Sequence, residues 1–398
     1  MTKIKALHIG KYYSPFKGGI ENFTKDMLES DVVRERCDVR VLAHHQSKGV
    51  PSATETISGV HVRKVKLWRQ VLYAPICLSF PTEMNRELRQ FGPDVLHIHM
   101  PNLSALICLF SKDARRRPWV IHWHSDVLGS EPDWRIKLLY PLYRIFEKRL
   151  LSRAKKIICT SPNYLSSSKS LEGFKHKCRV IPLGIRCDGE KGLSDPTRGN
   201  EQSGNLAASN NEAAVGSGPL KVLCVGRLTY YKGHKYLLDA IANLNNVRLT
   251  VVGDGEMRAD LEAQIGQLGL EQKVTLGGEL SDSALKASMH ATDVLCLPSI
   301  ERTEAFGMAI LEAARCKKPA IVTGVAGSGM SWVVVDKMTG WVVPDRDAIA
   351  LKNCIEQIDN DRLQISIYGQ AAYKRFLSEF QIESVAGEII ALYKSILR

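Results

Sequence analysis

The stretch ERTEAFGMAILEA, residues 301–313, sets two carboxylates, Glu304 and Glu312, around Phe306-Gly307 and a short apolar run. The pattern predicts a helix beginning near Phe306, with Glu304 at its mouth and Glu312 in its second turn. Its body, AFGMAILEAA, is apolar almost all round and therefore expected to be buried. Carboxylates in such a setting need partners, and a ligand carrying hydroxyls would supply them. Gly307 in a first turn disfavours helix by about 1 kcal/mol relative to Ala, which fits close approach of a ligand to the backbone. The helix mouth offers free N–H groups and a positive dipole end, suited to an anion such as diphosphate. Two solvated helix carboxylates are the plainer alternative.

A second group of charges lies in GRLTYYKG, where Arg227 follows an apolar run and Lys232 precedes the next helical pattern. Arg gives a forked phosphate contact and Lys a point charge, together enough to neutralise a diphosphate. Gly18-Gly19 would let backbone approach phosphate, although the spacing is not GxGxxG and a double glycine is often only a turn. Gly253-Asp254-Gly255 is either a turn or the wall of a nucleotide site. WVIHWHSD carries His122, His124 and Asp126, and DVLHIHM carries His97 and His99. Strand alternation puts each His pair on one face, so a His-rich metal site is conceivable. The pairs lack HExxH and settled carboxylate ligands. We therefore expect no metal, and His124 as a single cleft residue that binds or polarises substrate.

These residues need strands that end beside them. The chain opens IKALHIG and continues through VRVLA, VHVRKVKL, DVLHIHM, WVIHWH, KIICT and RVIPL. A second set follows: LKVLCVG, RLTVVG, KVTLGG, DVLCLP, PAIVTG and GWVVP. Helical patterns separate most of them, the signature of parallel doubly wound sheets. The expected fold is α/β, two Rossmann-like domains facing each other across a cleft at the carboxyl ends of both sheets. Residues 1–187 would form the first domain and 220–375 the second. Residues 188–219, rich in Gly, Ser, Asn and Ala, cannot bury enough apolar area to fold alone and read as a linker or insertion. Residues 376–398 read as a C-terminal helix that could cross back to the first domain.

Bulk composition is that of an ordinary globular protein, 44% hydrophobic and 24% charged. No apolar stretch approaches the roughly 18 residues of a membrane span, and the first residues lack a secretory apolar region. Ten cysteines without CxxC spacing read as reduced thiols, so a cytoplasmic protein is expected. The net charge of +12 is uneven: residues 1–187 carry 32 Lys and Arg against 16 Asp and Glu, and residues 188–398 carry 22 against 26. The basic half should face something anionic, such as a membrane surface, a phosphorylated lipid or nucleic acid. WRIKLLYPLYRIFEKRLLSRAKK, 134–156, is basic and amphipathic with Pro141 interrupting it. It reads either as a membrane-surface helix or as a half-buried helix of the first domain.

Taken together, GRLTYYKGHKYLLDAI, VVGDGEMRADLEAQIGQLGLEQKVTLGGELSD, ATDVLCLPSIERTEAFGMAILEAARCKKPAIVTG and MTGWVVPDRD resemble the second half of the retaining GT-B glycosyltransferases of family 4. The Gly-rich loop, DVLHIHM, WHSD and VIPLGI fall in the order expected of the first half. HWHSD, TSPNYLSSS, RVIPLGI and GSGMSW are similar to bacterial mannosyltransferases of surface-polysaccharide, O-antigen-type assembly. The resemblance implies that Arg227 and Lys232 hold a donor diphosphate, with Gly18 and Gly19 near its phosphates. It gives the donor sugar to Glu304 and the backbone at Ala305, Phe306, Gly307 and Met308, and the ribose to Glu312. His124 would lie beside the reacting carbon. Gly277, Gly278 and Glu279 are candidates for contact with the base. The implied reaction needs no metal or other cofactor. It moves a hexose, best read as mannose from GDP-mannose, to a lipid-linked or oligosaccharide acceptor at the inner face of the cytoplasmic membrane, with peripheral attachment and no nucleic acid. Two departures stand out: Lys317 where the family usually has Gly, and Arg186 where Asp commonly follows PLGI. Rival readings are a non-hydrolysing sugar-nucleotide epimerase, a basic protein that binds anionic polymers, and a His-based metallohydrolase.

Overall fold

The computed structural model of the chain describes residues 2–71, 74–127, 134–187 and 218–398; most of the expected linker, 188–217, lies outside these residues. Two sheets organise the rest. The first runs Cys178–Val180, Lys156–Cys159, Trp119–Trp123, Val95–Met100, Ile4–Ile9, Cys37–Lys48, Val60–Leu67, Ala53–Ile57. The second runs Val274–Gly278, Val247–Val252, Leu220–Val225, Val294–Leu297, Ala320–Thr323, Gly340–Val343. All pairings are parallel except Ala53–Ile57, which closes a hairpin on Val60–Leu67. Parallel strands are covered on both faces, which is why Val95–Met100, Val294–Leu297 and Ala320–Thr323 are buried at every residue.

Every apolar run expected to be a strand is one, and the two-domain GT-B architecture is present. In each sheet the chain starts in the middle, builds to one side and then returns to the other. The strand order therefore reverses beside Ile4–Ile9 in the first sheet and beside Leu220–Val225 in the second. Loops leaving the carboxyl ends at such switch points border the crevice where ligands sit in open α/β sheets. In the second sheet those loops are 226–233 and 298–307, which carry Arg227, Lys232 and Glu304.

Two local expectations differ. Trp134–Arg153 is one helix that runs through Pro141. The proline frees only the carbonyl of Lys137, which lies on an exposed turn open to solvent. The hairpin turn Ser58-Gly59 has both residues at positive φ, 50° and 86°, a two-residue primed turn that the strand pattern alone did not signal.

The chain finally leaves the second sheet through Leu363–Arg375 and returns to the first half as Ile382–Leu397. Gly184 lies so close to this crossing that a Cβ there would stand 2.8 Å from the Phe380 carbonyl. The Glu383 carboxylate accepts from the backbone N–H groups of Asp31 and Val32, both at 3.1 Å, capping helix Asp31–Arg36 and anchoring the returning helix. One apolar core includes Phe23 and Met27 of the first half, Ile310 and Met330 of the second, and Ile389 and Tyr393 of this helix.

Candidate active site

Lys232 and Glu304, from the two switch-point loops of the second sheet, form an ion pair with side chains only 14% and 13% exposed. Burial pushes the Lys232 ammonium down, but the Glu304 charge and the neighbouring Tyr231 more than offset it, so its pKa is raised and the lysine stays charged. Gly226 makes room for it, since a Cβ there would lie 2.8 Å from Lys232 Nζ. Gly233 has φ 68°, and a Cβ would run into the carbonyl of Pro298 in the facing loop. Gly233 is therefore required for the two loops to meet, and Gly226, at φ 150°, lets the first loop fold over its own lysine. The Glu304 loop is braced: the Ser328 hydroxyl donates to the Glu304 carbonyl, Gly329 N–H to Ala305 O at 2.9 Å, and Glu304 N–H to Glu301 O at 3.1 Å. Glu301, which the sequence reading passed over, is buried and accepts from Tyr230 Oη at 2.6 Å.

The helix begins at Met308 rather than near Phe306. Gly307 sits at its N-cap with φ 84°, a left-handed conformation that costs a residue with a side chain energy, and Phe306 is buried against Trp332 and Phe380. Glu304 thus stands on a loop before the helix mouth, while Glu312 stays in the second turn. The glycine is explained first by its backbone angle.

Across the cleft, helix Gly19–Leu28 starts at the opposing switch point. A Cβ on Gly19 would lie 3.3 Å from Met308 Cγ, so the N-termini of the two helices approach each other from the two halves. Glu21 folds its carboxylate back over Gly18. Burial raises its pKa, and its own backbone N–H, Lys11 and Arg227 pull it back down. Lys11 in turn is lowered by burial, raised by Glu21 and lowered by Arg227. Charges from both halves thus meet where the helix ends converge. Lys11 and Glu21 were missed, although their positions just after the first strand and just after Gly18-Gly19 were the available signal.

Glu312 has a different environment. Burial pushes its pKa from 4.5 up to about 7, Arg315 lowers it, and Asp282 and Asp26 from either side add to the rise.

His124 is 4% exposed, and its ring bonds to His99 rather than to the charged group. His8, His97, His99, His122 and His124 pack together, with Phe23 of helix Gly19–Leu28 set edge-on at 5.3 Å from His122 and 6.2 Å from His124. Burial holds all five imidazoles well below their ordinary pKa, so they are neutral. Ring nitrogens of His8, His97 and His99, and of His99, His122 and His124, lie within 4.8 Å of one another. Asp126 turns away, accepting from Trp123 Nε1 at 2.9 Å and pairing across the cleft with Arg302 at 3.1 Å.

Residues 208–375 match the family of glycosyl transferases group 1, and residues 18–184 match the glycosyl transferase 4-like domain. The chain belongs to the group 1 glycosyltransferases. It is 27% identical over 99% of both chains to the O-antigen chain mannosyltransferase C of Escherichia coli. To the D-rhamnosyltransferase WbpZ of Pseudomonas aeruginosa it is 29% identical over 95% of this chain and 92% of that one. Its fold is similar to that of sucrose-phosphate synthase from Thermosynechococcus elongatus, with a TM-score of 0.76, 21% identity and 99% of each chain covered.

The geometry accounts for both departures of this glycosyltransferase from the usual pattern. Lys317 has φ 57°, the left-handed region that Gly fills without strain, and its ammonium lies over the Tyr373 ring at 5.3 Å. Arg186 lies between Asp26 at 3.9 Å and Glu29 at 3.6 Å, and its carbonyl accepts from Arg315 of the second half at 3.0 Å.

The raised pKa of Glu312 has a consequence for stability. A carboxyl whose folded pKa of about 7 lies above its ordinary 4.5 leaves stability untouched below pH 4.5 and removes it as pH rises through 7. Glu312→Gln should therefore match the wild type near pH 4.5 and be more stable by about 1–3 kcal/mol at pH 8. Denaturant unfolding of both proteins across that range checks this. A variant no more stable than wild type at pH 8 would contradict the buried, strained carboxylate.

Proposed function

We propose that this glycosyltransferase moves a hexose, mannose from GDP-mannose in the first instance, with retention of configuration, onto a lipid-linked or growing polysaccharide acceptor. The observation that carries the reading is the buried Lys232–Glu304 pair beside the N-terminus of helix Met308–Arg315. An arriving diphosphate brings two negative charges to a lysine already charged, an exposed arginine and a helix dipole. Lys232 then shares its charge with phosphate, which frees Glu304 to accept from sugar hydroxyls. Glu312 accepts from the ribose, whose hydroxyls repay the burial of its charge. The similarity to a mannosyltransferase supports mannose, and the D-rhamnosyltransferase marks a deoxyhexose as the nearest competitor for the same site.

Retaining glycosidases place two carboxylates about 5 Å apart, one as nucleophile. Here Glu304 is committed to Lys232, and Glu312 lies eight residues on, in the second helical turn. The step proposed instead is a same-face displacement. The acceptor oxygen bonds to the anomeric carbon as the C–O bond to diphosphate breaks, and the departing phosphate oxygen takes the acceptor's proton. Stabilising that leaving group is the main task, and Arg227, Lys232 and the helix dipole supply it.

Incubation with GDP-mannose and a polyprenyl-diphosphate oligosaccharide should give a product with the donor's anomeric configuration by NMR. Glu304→Ala should lower kcat/KM at least about a hundredfold while the protein stays folded at the assay temperature, although loss of the counter-charge of Lys232 lowers its unfolding midpoint. Undiminished turnover, an inverted product, or conversion of the donor with no acceptor present would each sink the assignment, the last pointing to an epimerase.

The acceptor side of the reading rests on helix Trp134–Arg153. Trp134, Leu138, Leu139, Leu142 and Ile145 are exposed along it, among Lys137, Lys148 and Arg149. No helix among the described residues is long and apolar enough to cross a membrane, so the proposed attachment at the inner face is peripheral. The protein should sediment with phosphatidylglycerol vesicles at low salt and leave them as ionic strength passes the physiological range. Indifference to lipid charge would contradict electrostatic attachment.

A further inference from the structure

We propose that Tyr393 is a positioning residue for His124: with His8, His97, His99 and His122 it completes one hydrogen-bonded chain whose direction fixes which proton His124 carries. The proposal deepens the functional reading above and rests on it for the placing of His124 beside the donor.

The chain runs His122 Nδ1 to His97 Nε2 at 3.2 Å, His97 Nδ1 to Tyr393 Oη at 2.6 Å, Tyr393 Oη to His8 Nε2 at 3.4 Å, His8 Nδ1 to His99 Nε2 at 3.1 Å and His99 Nδ1 to His124 Nε2 at 3.1 Å. These contacts use eight of the ten ring nitrogens, and the two left over, His122 Nε2 and His124 Nδ1, are buried without a partner. The nitrogens pair off along a line. His99 sends one nitrogen to His8 and the other to His124, an arrangement for passing hydrogen bonds along rather than for meeting at one ion.

Burial keeps every ring neutral, so each carries one proton. One proton per ring, with the Tyr393 O–H donating within the chain, allows only two arrangements. If His122 donates to His97, each later member must also donate onward, and all five rings carry the proton on Nδ1. If His124 donates to His99, all five carry it on Nε2. Passing between the two requires one proton to enter at one end of the chain and another to leave at the other, both exchanged with water. Tyr393 breaks the tie. Its contact with His97 Nδ1 is the short one, suited to an O–H donor, which leaves the long 3.4 Å contact to a weak N–H from His8. The chain therefore has the Nε2 direction, with the N–H of His122 at one end and a bare lone pair on His124 Nδ1 at the other. His124 lies just past the carboxyl end of strand Trp119–Trp123, and with the donor placed beside it, as the functional reading has it, that lone pair would accept from a ligand hydroxyl. Tyr393 belongs to the returning helix Ile382–Leu397, and the proton state of His124 thus depends on the seating of that helix.

The test is long-range ¹H–¹⁵N correlation on the full chain with ¹⁵N-labelled histidine, without donor. Five neutral rings all protonated on Nε2 are expected. Tyr393→Phe should move His8, His99 and His124 towards mixed tautomers and raise the donor KM about fivefold, the weight of one hydrogen bond, with kcat little changed. Mixed tautomers in the wild type would overturn the chain, and so would stoichiometric zinc in the purified protein. That spectrum needs no variant, so a misfolded Tyr393→Phe leaves the test intact. The expected tautomers with no response of His124 to any nucleotide sugar would uphold the chain and reject the functional reading instead.

Discussion

A charged lysine kept out of water must have a counter-charge fixed beside it, and the architecture follows from placing Lys232 against Glu304. Removing either partner leaves a poorly solvated charge, a loss far larger than that of an exposed pair. Holding the two loops together needs glycine at 233, because any side chain would meet the Pro298 carbonyl, and the left-handed backbone at Gly226 leaves room for the lysine. It needs the Glu304 loop braced by Ser328 and Gly329, and a second anchor in Glu301. These are constraints on backbone and packing, imposed by one electrostatic requirement.

The same economy operates between the halves. Asp126 with Arg302, Lys17 with Asp282, and Arg315 with the Arg186 carbonyl join the two halves by polar contacts around their facing loops. The apolar connection is made by the returning C-terminal helix, buried against the first half. Polar contacts at the rim can be exchanged for water at little cost, whereas the helix cannot leave without exposing its apolar face. Relative movement of the halves is therefore expected to hinge near Gly184 and Phe380, where the backbones touch.

Much of this was legible in the sequence because parallel strands buried on both faces are written as unbroken apolar runs, and each ended at a residue able to do chemistry. The expectations for Arg227, Lys232 and Glu304 rest on the same pattern, since these residues follow the carboxyl ends of such runs. What escaped depends on three-dimensional pairing. The start of the helix at Met308 turns on the left-handed angle of Gly307, and a glycine in sequence does not reveal its sign of φ. Lys11 and Glu21 are ordinary charges until Arg227 is brought opposite them. The histidines could be placed on strand faces by alternation, but their order along one chain depends on the register of three strands and on Tyr393, 296 residues from His97. Pro141 was misread because the cost of a proline in a helix depends on whether the freed carbonyl meets water.

The central claim is that the facing switch-point loops form a binding site for a nucleotide-diphosphate sugar. Thermal unfolding with GDP-, UDP-, ADP- and dTDP-sugars, each with and without EDTA, tests it most directly, because a ligand that binds only the folded chain raises its apparent stability. A selective rise with GDP-mannose, unchanged by EDTA and lost in Arg227→Ala, is the predicted result. No rise with any sugar nucleotide, or an equal rise in Arg227→Ala, would contradict it.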